Sequence, residues 1–250
     1  MNVLAFVAEA DFGVFRDPSI TTSQITYTIP SKSTVIGLLG AILGISRNSR
    51  ERKTYITEYI ELLRETRIGI KVLDAFDRIN IGTNHQSLKP SKKTTTKPFK
   101  EEFLINPRFM FFVHSPKFED KLAEALSTNT FVYTPYLGHA NCIARISNFQ
   151  RFHTKPVEAN EIHTDTVVLD PIFETHGHFF DVTLKKGQKF LIERHLHHFV
   201  HENKLQKRVL THYIPINATL KVIVKKDKKI DVDELKPLFV TIGDSNVCLY

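Results

Sequence analysis

The side chains with the clearest chemical potential lie in residues 12–44, where hydroxyl, cationic and aromatic groups precede an apolar segment punctuated by glycine. Ser31 and Ser33 are candidate N-caps of a helix predicted from about Thr34 to Leu43. The free N–H groups of such a helix start, together with the hydroxyls and Lys32, form a natural anion site. Because the GxxxxGK[ST] spacing of a P-loop is absent, a plain N-cap beside a solvated lysine stays an alternative.

Three glycines interrupt the predicted helix or end it: Gly37, Gly40 and Gly44. Each costs roughly 1 kcal/mol of helix propensity against alanine. We therefore expect them to permit close approach of the helix to a sheet.

Arg16 lies between Phe15 and the pair Asp17-Pro18. Its guanidinium could hold a phosphate through two parallel hydrogen bonds. It could equally pair with Asp17 or Glu9, and a surface ion pair of this kind contributes about 0–1 kcal/mol without functional meaning. The residues alone leave both interpretations open.

The histidines are concentrated in two short segments, which contain His176, His178, His195, His197, His198 and His201. On a helix, His197 and His201 would share a face, as the zinc ligands of an HExxH motif do. Glu193 and Glu202 lie at the wrong offsets for that motif, and neither cysteine has metal-ligand spacing. We therefore predict a polar or basic surface here, with no metal and no other cofactor.

Sequence signatures of nucleophilic or cofactor-dependent catalysis are absent, since there is neither a GxSxG motif nor a glycine-rich dinucleotide loop. Tyrosine, lysine and histidine brought together could form a metal-free ribonuclease, in which histidine or tyrosine deprotonates the 2′-hydroxyl and lysine stabilises the phosphorane. Such a site has no linear signature. The sequence neither finds it nor excludes it.

Residues 85–100 carry five lysines, two prolines and no acidic residue. Such a segment cannot bury a core of its own, and its threonines and apolar flanks predict the tip and arms of a long β-hairpin over about residues 78–106. A solvated loop is the usual fate of a charge run. The absence of any acid favours a basic arm along a nucleic-acid backbone instead, formed by Lys89, Lys92, Lys93, Lys97 and Lys100.

The composition is that of a globular protein with room for one large or two small domains, with 250 residues of which 42% are hydrophobic and 24% charged. An excess of 34 basic over 27 acidic residues favours a polyanionic partner without deciding it. The isolated Cys142 and Cys248 indicate reduced thiols and a cytoplasmic location. The longest apolar run, residues 35–45, is about half of a membrane span, so no membrane partner is expected.

The elements predicted up to residue 133 follow the order β-α-β-β-α-β once insertions are removed. They are a strand at 2–9, the helix at 34–43, an extra helix at 48–64, a strand at 67–76, the hairpin, a strand at 108–114, a helix at 116–126 and a strand at 130–133. This order is typical of a ferredoxin-like, split βαβ fold. We predict an α+β protein with a ferredoxin-like domain at residues 1–140, into which the hairpin is inserted, and a smaller β-rich domain at residues 141–250.

Three segments of the N-terminal region form a specific pattern: Phe15-Arg16-Asp17-Pro18, then Thr21-Thr22-Ser23 with Tyr27 and Pro30, then Gly37-Leu-Leu-Gly40-Ala-Ile-Leu-Gly44. This pattern resembles the N-terminal signature of the fifth family of core CRISPR-associated proteins, members of the repeat-associated mysterious protein superfamily. The later Pro135-Tyr-Leu-Gly138-His-Ala-Asn-Cys142 is similar to the family's Tyr-Leu-Gly segment. The chain looks closest to the type I-B branch.

The resemblance implies a subunit of a type I surveillance complex, Cascade, that grips the 5′ handle of the CRISPR RNA (crRNA) and caps the backbone filament in antiviral defence. The implied partners are the crRNA, the backbone subunits, the large subunit and, through the complex, target DNA. The hairpin would be a thumb that folds over the guide. In the type I-C branch the subunit is also a metal-independent endoribonuclease that processes the guide precursor, and this activity is the alternative to a non-catalytic role.

The residues and the resemblance together give one set of candidate RNA-binding positions. Donors are needed for phosphates, and polar or aromatic groups for splayed bases. The candidates are Arg16, Thr22, Ser23, Tyr27, Ser31, Lys32, Ser33, Thr34, Tyr136, Gly138 and His139.

Overall fold

The structure, a computed structural model, describes residues 1–20, 23–49, 54–86, 96–172, 177–225, 229–230 and 232–250. In chain order its elements are β1 (Asn2–Glu9), β2 (Phe12–Gly13), β3 (Ser23–Gln24), α1 (Lys32–Leu43), α2 (Thr57–Glu65), β4 (Arg67–Val72), β5 (Arg78–Gln86), β6 (Thr96–Ile105), β7 (Arg108–His114), α3 (Glu119–Thr128), β8 (Arg145–His153), β9 (Glu161–Thr164), β10 (Val168–Leu169), β11 (Phe180–Leu184), β12 (Phe190–His201), β13 (Lys204–Pro215), β14 (Leu220–Val224), β15 (Leu238–Ile242) and β16 (Ser245–Leu249). These helices and sheets confirm the predicted α+β class.

A four-stranded antiparallel sheet with the order β4-β7-β1-β8 positions the N-terminal half. Successive residues of a strand face opposite sides, and both sides of β1 are buried. Leu4 and Phe6 belong to the same core cluster as Ile36 of α1, whereas Val3 packs in a second cluster with Val247 of β16. The sheet is therefore a middle layer, with α1 and α3 on one face and β15–β16 on the other.

Helix α1 begins slightly earlier than predicted, at Lys32, with Ser31 as its N-cap. The Ser31 hydroxyl oxygen accepts a hydrogen bond from the N–H of Thr34 at 3.4 Å. At the other end, the N–H of Tyr133 donates to the carbonyl of Ala41 at 2.9 Å. The strand predicted at 130–133 is wrong, because this segment bonds the last carbonyls of α1 and joins no sheet.

The other two helices begin later than predicted. Helix α2 begins at Thr57, because Asn48 and Tyr55 pair across an isolated β-bridge and so occupy the start of the predicted helix. Helix α3 begins at Glu119, after a turn in which the N–H of Phe118 donates to the carbonyl of Ser115 at 3.0 Å. No helix in the described part of the chain is long and apolar enough to span a bilayer.

The fourth strand of the N-terminal sheet is β8, which lies beyond the boundary at residue 140 expected from the sequence. The C-terminal residue is joined to the same sheet, because Tyr250 and Ile68 exchange two backbone hydrogen bonds of 2.9 Å. One buried cluster contains both Phe6 and Leu220. A division at residue 140 therefore cuts through one sheet and one core.

The second half is rich in strands, as predicted, and forms two further sheets with the orders β11-β14-β9-β16-β15 and β10-β13-β12. Its longest feature is the β12–β13 hairpin, in which each strand has twelve residues. The second histidine segment lies in β12. His197 and His201 are therefore on a strand and not on the helix that an HExxH motif requires.

Strands β5 and β6 form the predicted long hairpin and pair along residues 78–86 and 96–104. Arg78 anchors its base, donating to the carbonyl oxygen of Thr26 at 2.9 Å and to the hydroxyl of Thr28 at 2.6 Å. These bonds join the base of the hairpin to the segment before α1. Two of its lysines, Lys97 and Lys100, lie on β6, and three lie outside the described residues, namely Lys89, Lys92 and Lys93.

Candidate nucleic-acid interface

A cleft of about 520 Å³ opens between helix α1 and two loops, one after β2 and one after α3. Helix α1 runs along it from Ser33 to Ala41. The cleft brings together segments that are far apart in the sequence. Six of the candidate residues line it: Arg16, Ser33, Thr34, Tyr136, Gly138 and His139.

The two loops are locked against each other at Gly138. This residue has φ +87°, and a Cβ atom there would lie 1.6 Å from the carbonyl oxygen of Val14. Only glycine permits both the left-handed backbone and this approach. The N–H of Val14 also donates to the carbonyl of Leu137 at 3.1 Å. The Tyr-Leu-Gly segment is therefore needed to hold the Arg16 loop in place.

Arg16 is exposed and lines the cleft. Neither carboxylate considered as a surface partner pairs with it. Asp17 accepts hydrogen bonds from Ser19 at 2.6 and 2.9 Å, and Glu9 forms an ion pair with Arg108 at 2.9 Å. Within the described ranges Arg16 has neither an ion pair nor a side-chain hydrogen bond, so its charge is available to an anion in the cleft.

Arg47 also lines the cleft, and the sequence reasoning missed it. Its guanidinium lies 5.4 Å from the centre of the Tyr55 ring and donates to the Tyr55 hydroxyl at 3.2 Å. Burial is the largest single influence and lowers the pKa of Arg47, but the hydrogen bond to Tyr55 and the charge interactions with Tyr59 and Tyr55 together raise the pKa, so the group stays charged. Its position just after α1 was the only signal in the sequence that could have indicated it.

Two tyrosines present ring surface at the cleft. Tyr133 is 53% exposed and Tyr136 is 43% exposed. Together with the two arginines, they give the cleft flat apolar faces beside positive charge.

Lys32 does not line the cleft. It is 5% exposed, because α1 packs against β12 at this point. Burial, with a smaller contribution from the charge of Arg67, lowers the pKa of the Lys32 ammonium to about 7. The solvated lysine that the sequence left open as an alternative is therefore wrong.

The remaining candidate RNA-binding residues make contacts within the protein or lie outside the described residues. The ring of Tyr27 stacks on that of His195 with centroids 3.9 Å apart, and burial raises the pKa of its hydroxyl. Ser31 is engaged as the helix cap. Ser23 belongs to β3, which pairs with β6, and Thr22 lies outside the described residues.

Two of the four histidines of β12, His195 and His197, are buried. His195 is fully buried and lies 2.9 Å from a carboxylate oxygen of Glu193. Burial lowers the pKa values of His197 and of His212 on β13 well below 6.5, so both are neutral at pH 7. The predicted polar surface is wrong for these residues. Across the part of the chain that the structure describes, no three His, Cys, Asp or Glu side chains are grouped to hold a metal ion.

Comparison with known proteins decides the family. The sequence profile of the family described as CRISPR-associated protein (Cas_Cas5) matches residues 3–222. The chain belongs to this family. The resemblance first seen in the Arg16 loop, helix α1 and the Tyr-Leu-Gly segment of this Cas5-family protein is thereby confirmed.

Solved structures resemble the Cas5-family chain at low sequence identity. A CRISPR protein from Archaeoglobus fulgidus, known from a crystal structure, is 14% identical with a TM-score of 0.57, over 99% of this chain and 98% of that chain. A chain of a CRISPR RNA-guided surveillance complex is 13% identical with a TM-score of 0.47, over 92% and 97% of the two chains. The first comparison shows a fold shared over the whole length. Among curated proteins, none matches the chain in sequence.

Proposed function

We propose that this Cas5-family protein is the RNA-binding subunit of a type I surveillance complex, Cascade, where it grips the 5′ handle of the crRNA and caps the backbone filament. One observation carries the proposal. The segments that resemble the family signature, namely the Arg16 loop, helix α1 and the loop of Tyr136 and Gly138, meet in one cleft. The excess of basic over acidic residues is in keeping with an RNA partner.

The cleft offers the groups that single-stranded RNA requires. Arg16 and Arg47 supply charge for phosphates. The exposed rings of Tyr133 and Tyr136 supply surfaces on which unstacked bases can stack. The proposed ligand is therefore an unpaired stretch of RNA and not a duplex.

The order of the first sheet supports a ferredoxin-like assignment and restricts where RNA can bind. With α2, the hairpin and the two short strands β2 and β3 that pair with it set aside, the chain runs β1, α1, β4, β7, α3, β8, the order of a split βαβ fold. In RNA-recognition motifs the open face of such a sheet stacks the bases. Here both faces are covered, so we place the RNA in the cleft at the edge of the domain.

The β5–β6 hairpin is the proposed thumb. We assign its lysines to the guide backbone and its body to a contact with the first backbone subunit, with the large subunit and target DNA reached through the assembled complex. A type I-B complex in the cytoplasm is the proposed setting.

Deleting Lys89–Lys97 and closing the gap with Gly-Ser tests the thumb. The change is expected to shift the melting temperature of the isolated protein by less than about 2 °C, because the segment cannot contribute to a core. It is expected to weaken assembly of the guide–backbone complex, since the cations no longer neutralise guide phosphates. Native mass spectrometry of reconstituted complexes measures the second effect. Unfolding of the isolated variant, or unimpaired assembly, would contradict the thumb.

The RNA-binding proposal is tested with the RNA transcribed from the CRISPR repeats of the protein's own genome. Fluorescence anisotropy should show tighter binding to the 5′ handle than to a scrambled RNA of the same length. The same RNA, incubated with the protein in EDTA, should remain intact. Metal-independent cleavage within the repeat would show the alternative, guide-processing activity. Equal affinity for the scrambled RNA would contradict specific recognition of the 5′ handle.

A further inference from the structure

Gly37 and Gly40 of α1 and Gly44 at its C-terminal cap have three different structural settings, and none serves close approach to a sheet. A Cβ atom at Gly40 would lie 2.8 Å from the carbonyl oxygen of Ile45. Gly44 has φ +80° and ends the helix in the left-handed conformation. Folding requires glycine at both of these positions, since any side chain would clash or strain the backbone.

Gly37 differs from the other two. It lies inside the helix, its surface is exposed, and a Cβ atom added there would meet no atom within 4 Å apart from its chain neighbours and the backbone of its own helix. Glycine is destabilising at a helical position where alanine fits. The folded protein therefore gains nothing from a glycine at residue 37.

The surroundings of Gly37 suggest why the position is bare. Gly37 lines the cleft, and so do Ser33 and Ala41, which lie one helical turn before and after it. The small side chains on this face leave the backbone of α1 accessible from the cleft. The same cleft is lined by Arg16 and Arg47, and it carries the exposed rings described above. Open backbone, positive charge and aromatic faces thus meet in one cavity.

We propose that Gly37 is a contact position for bound RNA, where one nucleotide lies in van der Waals contact with the backbone of α1, and that the absence of a side chain at residue 37 sets how deeply RNA enters the cleft. This inference rests on the proposed RNA-binding function. It adds a residue whose role is steric, whereas Arg16 and Arg47 act through charge.

Gly37→Ala and Gly37→Leu test the inference against Ser127→Ala, a matched change at an exposed position of α3 outside the cleft. Alanine at residue 37 should raise the melting temperature by about 2–4 °C, because it improves the helix without meeting another atom. It should weaken binding of the repeat RNA at least about fivefold, and leucine should weaken it further. Ser127→Ala should leave the affinity unchanged.

The possible outcomes distinguish a failure of the proposed RNA-binding function from a failure of the inference about Gly37. If the wild-type protein does not bind repeat RNA, the proposed function fails. If the wild type binds and Gly37→Ala binds equally well, only the inference about Gly37 fails. A lower melting temperature for Gly37→Ala also overturns it, because the fold itself would then require the glycine.

Discussion

Lys32→Met is expected to stabilise the protein at pH 7 and to flatten the dependence of its stability on pH. Lys32 is buried, and its pKa falls from 10.5 to about 7 through burial and the neighbouring Arg67. Between these pH values the unfolded chain binds a proton that the folded chain lacks, so stability rises with pH. This one group contributes up to about 1.4 kcal/mol per pH unit, and on the order of 5 kcal/mol over the whole interval.

Urea denaturation at pH 7, 8 and 9 measures the effect of Lys32→Met. The wild type should gain stability over this series more steeply than the variant. Below about pH 6.5 both proteins should lose stability, because buried neutral His197 and His212 remain in each and the unfolded chain binds their protons. An equal slope in both proteins above pH 7 would contradict the burial of a neutral lysine. Since Lys32 lies outside the cleft, its replacement should leave RNA affinity unchanged.

Arg16→Ala combined with Arg47→Ala is expected to lower the affinity for repeat RNA by about 100-fold at physiological salt. A hydrogen bond to a charged group contributes about 1.5–3 kcal/mol, and the variant loses at least one from each guanidinium. For single-stranded RNA, each lost phosphate contact should also lower the slope of log affinity against log salt by about 0.7. Anisotropy titrations from 50 to 300 mM salt measure both quantities.

The matched control for this double variant is Lys121→Ala with Lys155→Ala, which removes the same net charge at exposed positions outside the cleft. It should leave the affinity close to that of the wild type. If both double variants lose affinity equally, the RNA responds to overall charge and the cleft has no special role.

Much of the fold could be predicted from local sequence pattern. The alternating residues 2–9 and the apolar residues of segment 108–114 located β1 and β7. The acid-free lysine segment, with its threonines and apolar flanks, located the β5–β6 hairpin. The segment at 130–133 was misassigned, because its apolar and aromatic residues suit a strand while its backbone hydrogen bonds go to the end of α1. Tertiary contacts determine the structure of this segment, and the local sequence pattern does not reveal them.

The candidate site was predicted in part, and its errors have a physical cause. Arg16 and Tyr136 were found because they lie in the segments that resemble the family. Lys32 was misplaced because charge favours exposure, whereas α1 packs its first turn against β12 and buries the ammonium. Arg47 was missed because its position just after α1 does not by itself show that the cleft continues past the end of that helix.

We propose that RNA lies in the cleft between α1 and the loops of Arg16 and Tyr136. The most direct test is photo-crosslinking of repeat RNA containing 4-thiouridine, followed by mass spectrometry of the crosslinked peptides. We expect crosslinks from the 5′ handle to the peptides that contain Arg16 and Tyr136, and we expect excess unlabelled handle RNA to abolish them. Crosslinks confined to β15 and β16 on the far face of the sheet, with none at the cleft, would contradict it.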